Sequence, residues 1–308
     1  MPRASFIIAV LALSLLALAS PAGAAPSCFG AAARDPALPC VNPTLRLKVT
    51  PKPHNAPLVK GAPCVKLPPE GLVAPCEFGV LAASAREHFA LFGDSHAAHW
   101  RPTLLHMAQG LQWHGYQLSR NSCSLTTIQL AQPEPYFSEC AAWKTQAVEW
   151  LGRHPEVTTV FLATKTPGRR DFAPSPQPAF DAQVAGHVAA WSWLPASVRR
   201  VFVIRDNPSA RTTTMRCVRR AVNRRRAPGP ACAVPRALAL PPDPAAVAIA
   251  QADPTRFQLL DLTPFFCDEG SCYPVVGGVL VHKDVNHLTR HFAETLGPYL
   301  LRAVVGFR

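Results

Sequence analysis

The chain is short of acid. Its 308 residues hold 19 aspartates and glutamates against 31 lysines and arginines, a formal net charge of +12. This balance suits an anionic polymer or a membrane surface as partner, beside the plainer reading of a solvated arginine-rich face. Beyond residue 24 there is no run of about eighteen apolar residues, which excludes an ordinary membrane-spanning helix from the rest of the sequence. The ten cysteines contain no CxxC pair and their spacings are irregular, which argues against metal–thiolate sites. There is no internal repeat. No aromatic residue is interleaved in the arginine-rich stretch Arg219 to Arg226, and no nucleic-acid-binding module is recognisable, so nucleic acid is not an expected partner.

Three kinds of segment are present. Residues 1–24 have a positive start at Arg3, an apolar stretch from Phe6 to Leu18 and a small-residue site at Ala22-Gly23-Ala24; this reads as a secretory signal peptide and places the mature chain in the periplasm or outside the cell. Residues 25–82 are rich in proline, alanine and cysteine with little periodicity, and are expected to form an irregular N-terminal extension. Every cysteine follows the signal, and an even number in an exported chain implies disulfides. The simplest pairing joins sequence neighbours: Cys28 with Cys40, Cys64 with Cys76, Cys123 with Cys140, Cys217 with Cys232 and Cys267 with Cys272. Sequence alone leaves the other connectivities open.

From residue 83 to 308 short apolar runs recur, at His88 to Phe92, Tyr116 to Ser119, Thr158 to Ala163, Arg200 to Ile204 and Phe257 to Leu262. Segments long enough for helices lie between them, such as Pro102 to Gly110 and Cys140 to Arg153. This alternation predicts one α/β domain with a parallel sheet covered on both faces. Near the end, Leu288, Phe292, Leu296 and Leu300 fall at spacings of four, one apolar helical face with a bend expected at Pro298.

Two motifs carry chemistry. Gly93-Asp94-Ser95-His96 follows an apolar run and opens a helical stretch, which is how α/β folds present a nucleophile at a strand's carboxyl end. A serine there needs a base. Asp284-Val285-Asn286-His287 can supply one: a carboxylate three residues from an imidazole can hold its Nδ1–H while Nε2 faces the nucleophile. Alone, such a DxxH is more often a capping acid and a packed histidine.

Together these blocks resemble the first and last blocks of the SGNH (GDSL-type) hydrolase superfamily. More narrowly, Cys28-Phe29-Gly30-Ala31, Leu91 to Ala97, Asn121-Ser122-Cys123 and Asp284 to Thr289 are similar to the SGNH domain fused behind integral-membrane acyltransferases of the acyltransferase-three family. The resemblance implies a flavodoxin-like, three-layer fold with a disulfide-stapled extension. By position, it makes Ser95 the nucleophile, His287 the general base and acid, and Asp284 the orienting carboxylate, with Asp94 ordering the turn and His96 beside the pocket. It departs from the wider superfamily in having no Gly-x-Asn-Asp block; Ala163-Thr164-Lys165-Thr166 stands at that strand end. The oxyanion donors are then expected from the Ser95 N–H and the Asn121 to Cys123 turn, including the Asn121 amide. Lys165 is read as a solvated lysine, His99 as packing or surface, and Trp100, Trp113, Trp191 and Trp193 as core residues that could also stack on sugars.

The expected activity is that of an exported serine esterase or O-acyltransferase working through an acyl-serine on O-acyl, chiefly O-acetyl, groups of envelope glycans, with no cofactor or metal. A membrane acyltransferase is a candidate partner. Two rivals share the residues. One is a non-catalytic glycan-binding module of the same fold. The other is a metal-dependent phosphoesterase using Asp94, His96, His99, His282, Asp284 and His287, although no acid follows the histidine in Asn286-His287-Leu288 as that signature requires.

Overall fold

The computed structural model describes residues 25–307. The signal-peptide reading falls on residues outside these. Strands β1 (Val65–Lys66), β2 (Cys76–Gly79), β3 (Glu87–Gly93), β4 (Trp113–Ser119), β5 (Val157–Ala163) and β6 (Arg200–Ile204) are followed by the two-residue β7 (Val234–Pro235) and by β8 (Phe257–Leu260). Seven of them make one sheet in the order β1-β2-β4-β3-β5-β6-β8. β3, β4, β5, β6 and β8 are mutually parallel, as the alternation of runs predicts. β1 and β2 add an antiparallel edge. That edge comes from the segment expected to be irregular; two strands of two and four residues are too short to show a period in sequence.

The sheet is buried on both faces, so its central strands read as continuous apolar runs rather than as alternation. In β3, Phe89 and Leu91 enter one core with helix α1 (Ser95–Leu111) and the two C-terminal helices Arg290–Thr295 and Gly297–Gly306. Ala90 and Phe92 enter the other, with α2 (Tyr136–Arg153) and α3 (Phe180–Trp191). Trp100, Trp113 and Trp191 are core residues, and of the four tryptophans only Trp193 is exposed. The C-terminal apolar face is present but broken at Leu296, which ends one helix and precedes the next, two residues ahead of Pro298. Among the described residues no helix is long and apolar enough to cross a membrane.

All five disulfides join sequence neighbours, as the simplest pairing has it. The extension is tied into the domain as well. Gly30 N–H donates to the Gly277 carbonyl, Ala31 N–H to the Thr295 hydroxyl, and Arg302 makes a two-pronged ion pair with the buried Asp35.

The chain leaves β3 to form β4 on one side of it and β5 on the other, so the strand order reverses at β3. In open α/β sheets the crevice at such a switch point, beyond the carboxyl ends of the strands, is where ligands bind. Gly93 ends β3 there. A Cβ at this position would lie 1.9 Å from the Ala163 carbonyl oxygen, so no other residue fits between β3 and β5.

Candidate active site

Ser95 is the first residue of α1, two residues beyond Gly93, which ends β3. The helix begins here because Asp94 caps it. Asp94 adopts extended backbone, and its Oδ1 accepts the His96 N–H at 2.7 Å. Its Oδ2 accepts the Ser124 hydroxyl and the Lys165 N–H, both at 2.9 Å. One buried carboxylate thus ties together the loops that follow β3, β4 and β5. With both oxygens occupied by these donors, Asp94 faces away from substrate chemistry.

Asp284 and His287 sit on a tight loop whose stems pair: His282 bridges Leu288, and Lys283 N–H donates to the His287 carbonyl at 2.9 Å. The turn folds the two side chains together. Asp284 Oδ1 accepts the N–H groups of Asn286 (3.0 Å) and His287 (2.8 Å). Its Oδ2 lies 2.9 Å from His287 Nδ1, and His287 Nε2 lies 2.8 Å from Ser95 Oγ. Half-burial would raise the Asp284 carboxyl, but the hydrogen bonds from the His287 ring and from the two amides hold it well below the usual carboxylate range. Asp284 is therefore anionic and fixes the His287 tautomer that leaves Nε2 to accept from the serine.

The three residues open onto a cleft of about 490 Å³. Asn121 and Ser122 line it, on the turn after β4 that Cys123–Cys140 fastens to α2. Asn121 is exposed and lines the cleft together with Ser122 and Ser95. Val59 and Gly61 of the extension form part of the wall, and Arg101 holds them by donating twice to the Ala62 carbonyl. Arg101 and Lys283 bring positive charge to the lining, which also holds the anionic Asp284, while Arg290 is paired with Glu294.

His96 is not in the cleft. It is 1% exposed, behind His287, with ring centroids 5.1 Å apart, and its Nδ1 donates to Asp206 Oδ1 at 2.6 Å. Burial would depress it, but the adjacent Asp206 carboxylate outweighs burial and raises its pKa. The expectation that His96 borders the pocket is replaced by a buried ion pair. His99 does reach the cleft wall, though nearly all of its ring is covered, and burial holds it well below its ordinary pKa. His282 is buried and neutral, depressed to about 4, with Nε2 against the Pro208 carbonyl at 2.6 Å. Lys165 pairs with Asp171. Among the described residues no group of three histidines, cysteines, aspartates or glutamates is arranged to hold a metal ion.

Asp206, Asn207 and Asp243 were not singled out in the sequence. Asp206 accepts from His96, from Thr166 N–H at 2.7 Å and from Asn207 N–H at 2.9 Å, and its own N–H donates to Asp243. The Asn207 amide donates to the Asn286 carbonyl at 2.9 Å, bracing the loop that carries His287. The available signal was position: Arg205-Asp206-Asn207 follows an apolar run, at the carboxyl end of β6.

A serine heading the helix after a central parallel strand, joined to histidine and aspartate from a loop before the last helices, defines an α/β protein with a Ser-His-Asp constellation at its switch point. Direct comparison gives the family. Residues 63–302 match the family model of the SGNH domain (fused to AT3 domains), and the chain belongs to that family. Among solved structures it is similar to the periplasmic domain of a lipopolysaccharide acetyltransferase from Salmonella ser. Paratyphi A, with a TM-score of 0.57 and 12% sequence identity, over 74% of this chain and 90% of that one. No curated protein matches the chain.

Proposed function

We propose that this chain is an exported serine enzyme that cleaves or transfers O-acyl groups, most simply O-acetyl, on envelope glycans. The observation that carries the reading is the hydrogen-bonded line from Ser95 Oγ through His287 to Asp284, at 2.8 and 2.9 Å, on the wall of an open cleft. His287 takes the Ser95 proton as Oγ attacks the acyl carbonyl, and Asp284 stabilises the imidazolium that results. The Ser95 N–H, one of the helix N-terminal groups without an intrahelical partner, and the Asn121–Ser122 turn receive the oxyanion. His287 returns the proton to the leaving sugar oxygen, and an acyl-Ser95 remains. Water then yields the free acid, or a sugar hydroxyl accepts the acyl group; an open cleft admits either.

The family's fusion to AT3 domains and the lipopolysaccharide acetyltransferase neighbour support a glycan substrate and a membrane acyltransferase as the acyl source. That neighbour's periplasmic origin and the five disulfides support a site outside the cytoplasm. Arg101 and Lys283 favour a glycan that carries negative charge.

A fluorophosphonate probe tests the reading. Labelling of the wild type that disappears in Ser95→Ala is the expected result. A folded wild type that does not label, yet binds glycan, identifies the binding module instead. Turnover that survives Ser95→Ala and is stopped by a chelator identifies the metal enzyme.

A further inference from the structure

Helix α4 (Thr214–Asn223) and its flanks form a cationic face without counter-charge. From Asn207 to Pro242 the sequence has eight arginines and neither aspartate, glutamate nor any aromatic residue. Seven of the arginines, Arg211, Arg216, Arg219, Arg220, Arg224, Arg225 and Arg226, lie on α4 or within a few residues of it, and all seven are exposed. Among the described residues none of the seven is in an ion pair, whereas Arg120, Arg153, Arg200, Arg205, Arg290 and Arg302 each face a carboxylate.

Folding accounts for only part of this face: Arg220 and Arg224, at the C-terminal end of the helix, complement its dipole. Arg216 with Arg220 and Arg220 with Arg224 are like charges one helical turn apart, which destabilises a helix. The helix is held from the other side. Val218 and Ala221 are buried in a small core with Ala56, Val275 and Leu280, and Cys217–Cys232 closes the segment covalently. The chain leaves through a left-handed residue at Arg225 (φ 52°), with Arg226 N–H donating back to the Ala221 carbonyl at 2.9 Å. A braced array of exposed arginines is left.

We propose that the α4 arginine face docks the protein on an anionic phospholipid surface. Guanidinium matches phosphate in charge and in bidentate geometry. Clusters of four to eight basic residues are what anionic lipid surfaces attract. The absence of aromatic residues leaves no platform on which a sugar ring could stack. The site is separate from the cleft, but the two are connected. Ala210 N–H, just before α4, donates to the Val285 carbonyl at 2.7 Å, between Asp284 and His287. The docking does not depend on the assignment of Ser95.

Cosedimentation of the full chain with vesicles tests the proposal, using phosphatidylcholine alone and phosphatidylcholine doped with phosphatidylglycerol. The wild type is expected to prefer the doped vesicles, and the preference should collapse at high salt. A triple variant, Arg219→Gln, Arg220→Gln and Arg224→Gln, should lose roughly a hundredfold in binding, about fivefold per guanidinium. The matching Arg→Lys triple should bind nearly as the wild type does, which separates lost charge from lost fold. Fluorophosphonate labelling, if the wild type shows it, should be equal in all three. Equal binding of the glutamine variant and the wild type to doped vesicles overturns the proposal. So does wild type that sediments with neither vesicle while binding soluble dextran sulfate, which would make the face a polyanion site.

Discussion

His287 makes hydrogen bonds in two directions, one nitrogen to an anionic carboxylate and the other to the Ser95 hydroxyl. Its chemistry depends on the charge of Asp284 as well as on the contact. Asp284→Asn keeps a group of the same shape but removes the negative charge that, in the proposed mechanism, stabilises the imidazolium. Its amide can also select the opposite tautomer. We expect kcat on an aryl acetate to fall about a thousandfold or more with KM little changed, as steady-state kinetics would show. At this scale much was legible. Gly93-Asp94-Ser95 and Asp284-x-x-His287 each have a local geometric reason for their spacing, and the structure brings them together across 192 residues of sequence. The surroundings of His96 were not legible. Its partner Asp206 is 110 residues away and is brought to it only by the lateral order of β3, β5 and β6.

Among the elements, the carboxyl ends of the strands decide the site. Asp94 takes three hydrogen bonds, one from the first turn of α1 and two from the loops after β4 and β5, while almost wholly buried. Asp94→Ala removes a helix cap worth about 1 kcal/mol and strands two further donors at a similar cost each. We expect a loss of about 3 kcal/mol in urea unfolding, with Asp94→Asn recovering part of it because an amide oxygen still caps α1. The five parallel strands could be read from their apolar runs, because a strand buried on both faces must be apolar throughout. β1 and β2 could not, because an edge strand of two to four residues is defined by its partner rather than by its own pattern. The loop after β6 hid for a similar reason: the polarity of Asp206 and Asn207 reads as an ordinary turn until the sheet places them under His96 and behind His287.

The molecule as a whole buries several titratable groups, and their signs set its response to pH. Burial depresses His187 and His282 from 6.5 to about 4, so the unfolded chain takes up these protons first. Their contribution to stability is complete above pH 6.5 and is lost as pH falls toward 4. Asp243 works the other way. Burial and the neighbouring Asp206 push it from 3.8 up to about 6, so the folded state takes up its proton first and gains stability as pH falls below 6. Among these three groups the two histidines outweigh the aspartate, so their combined contribution falls on acidification. In His187→Gln the fall in unfolding free energy from pH 6.5 to 4 should be smaller by about 3 kcal/mol, measured by urea titrations across that range.

By itself the sequence determined what local rules can specify: an α/β chain, a serine placed to head a helix, and an acid and an imidazole three residues apart, with neighbour pairing of the cysteines only the simplest of several open connectivities. These follow from hydrophobic period, chain spacing and capping, which act over a few residues. The tertiary structure decided what depends on distant segments meeting. It set His287 against Ser95, turned His96 inward onto Asp206, drew the extension into the cleft wall, and left the arginines of α4 facing outward without a counter-charge. Such outcomes rest on which strands lie side by side and which faces are covered, and no local pattern encodes them.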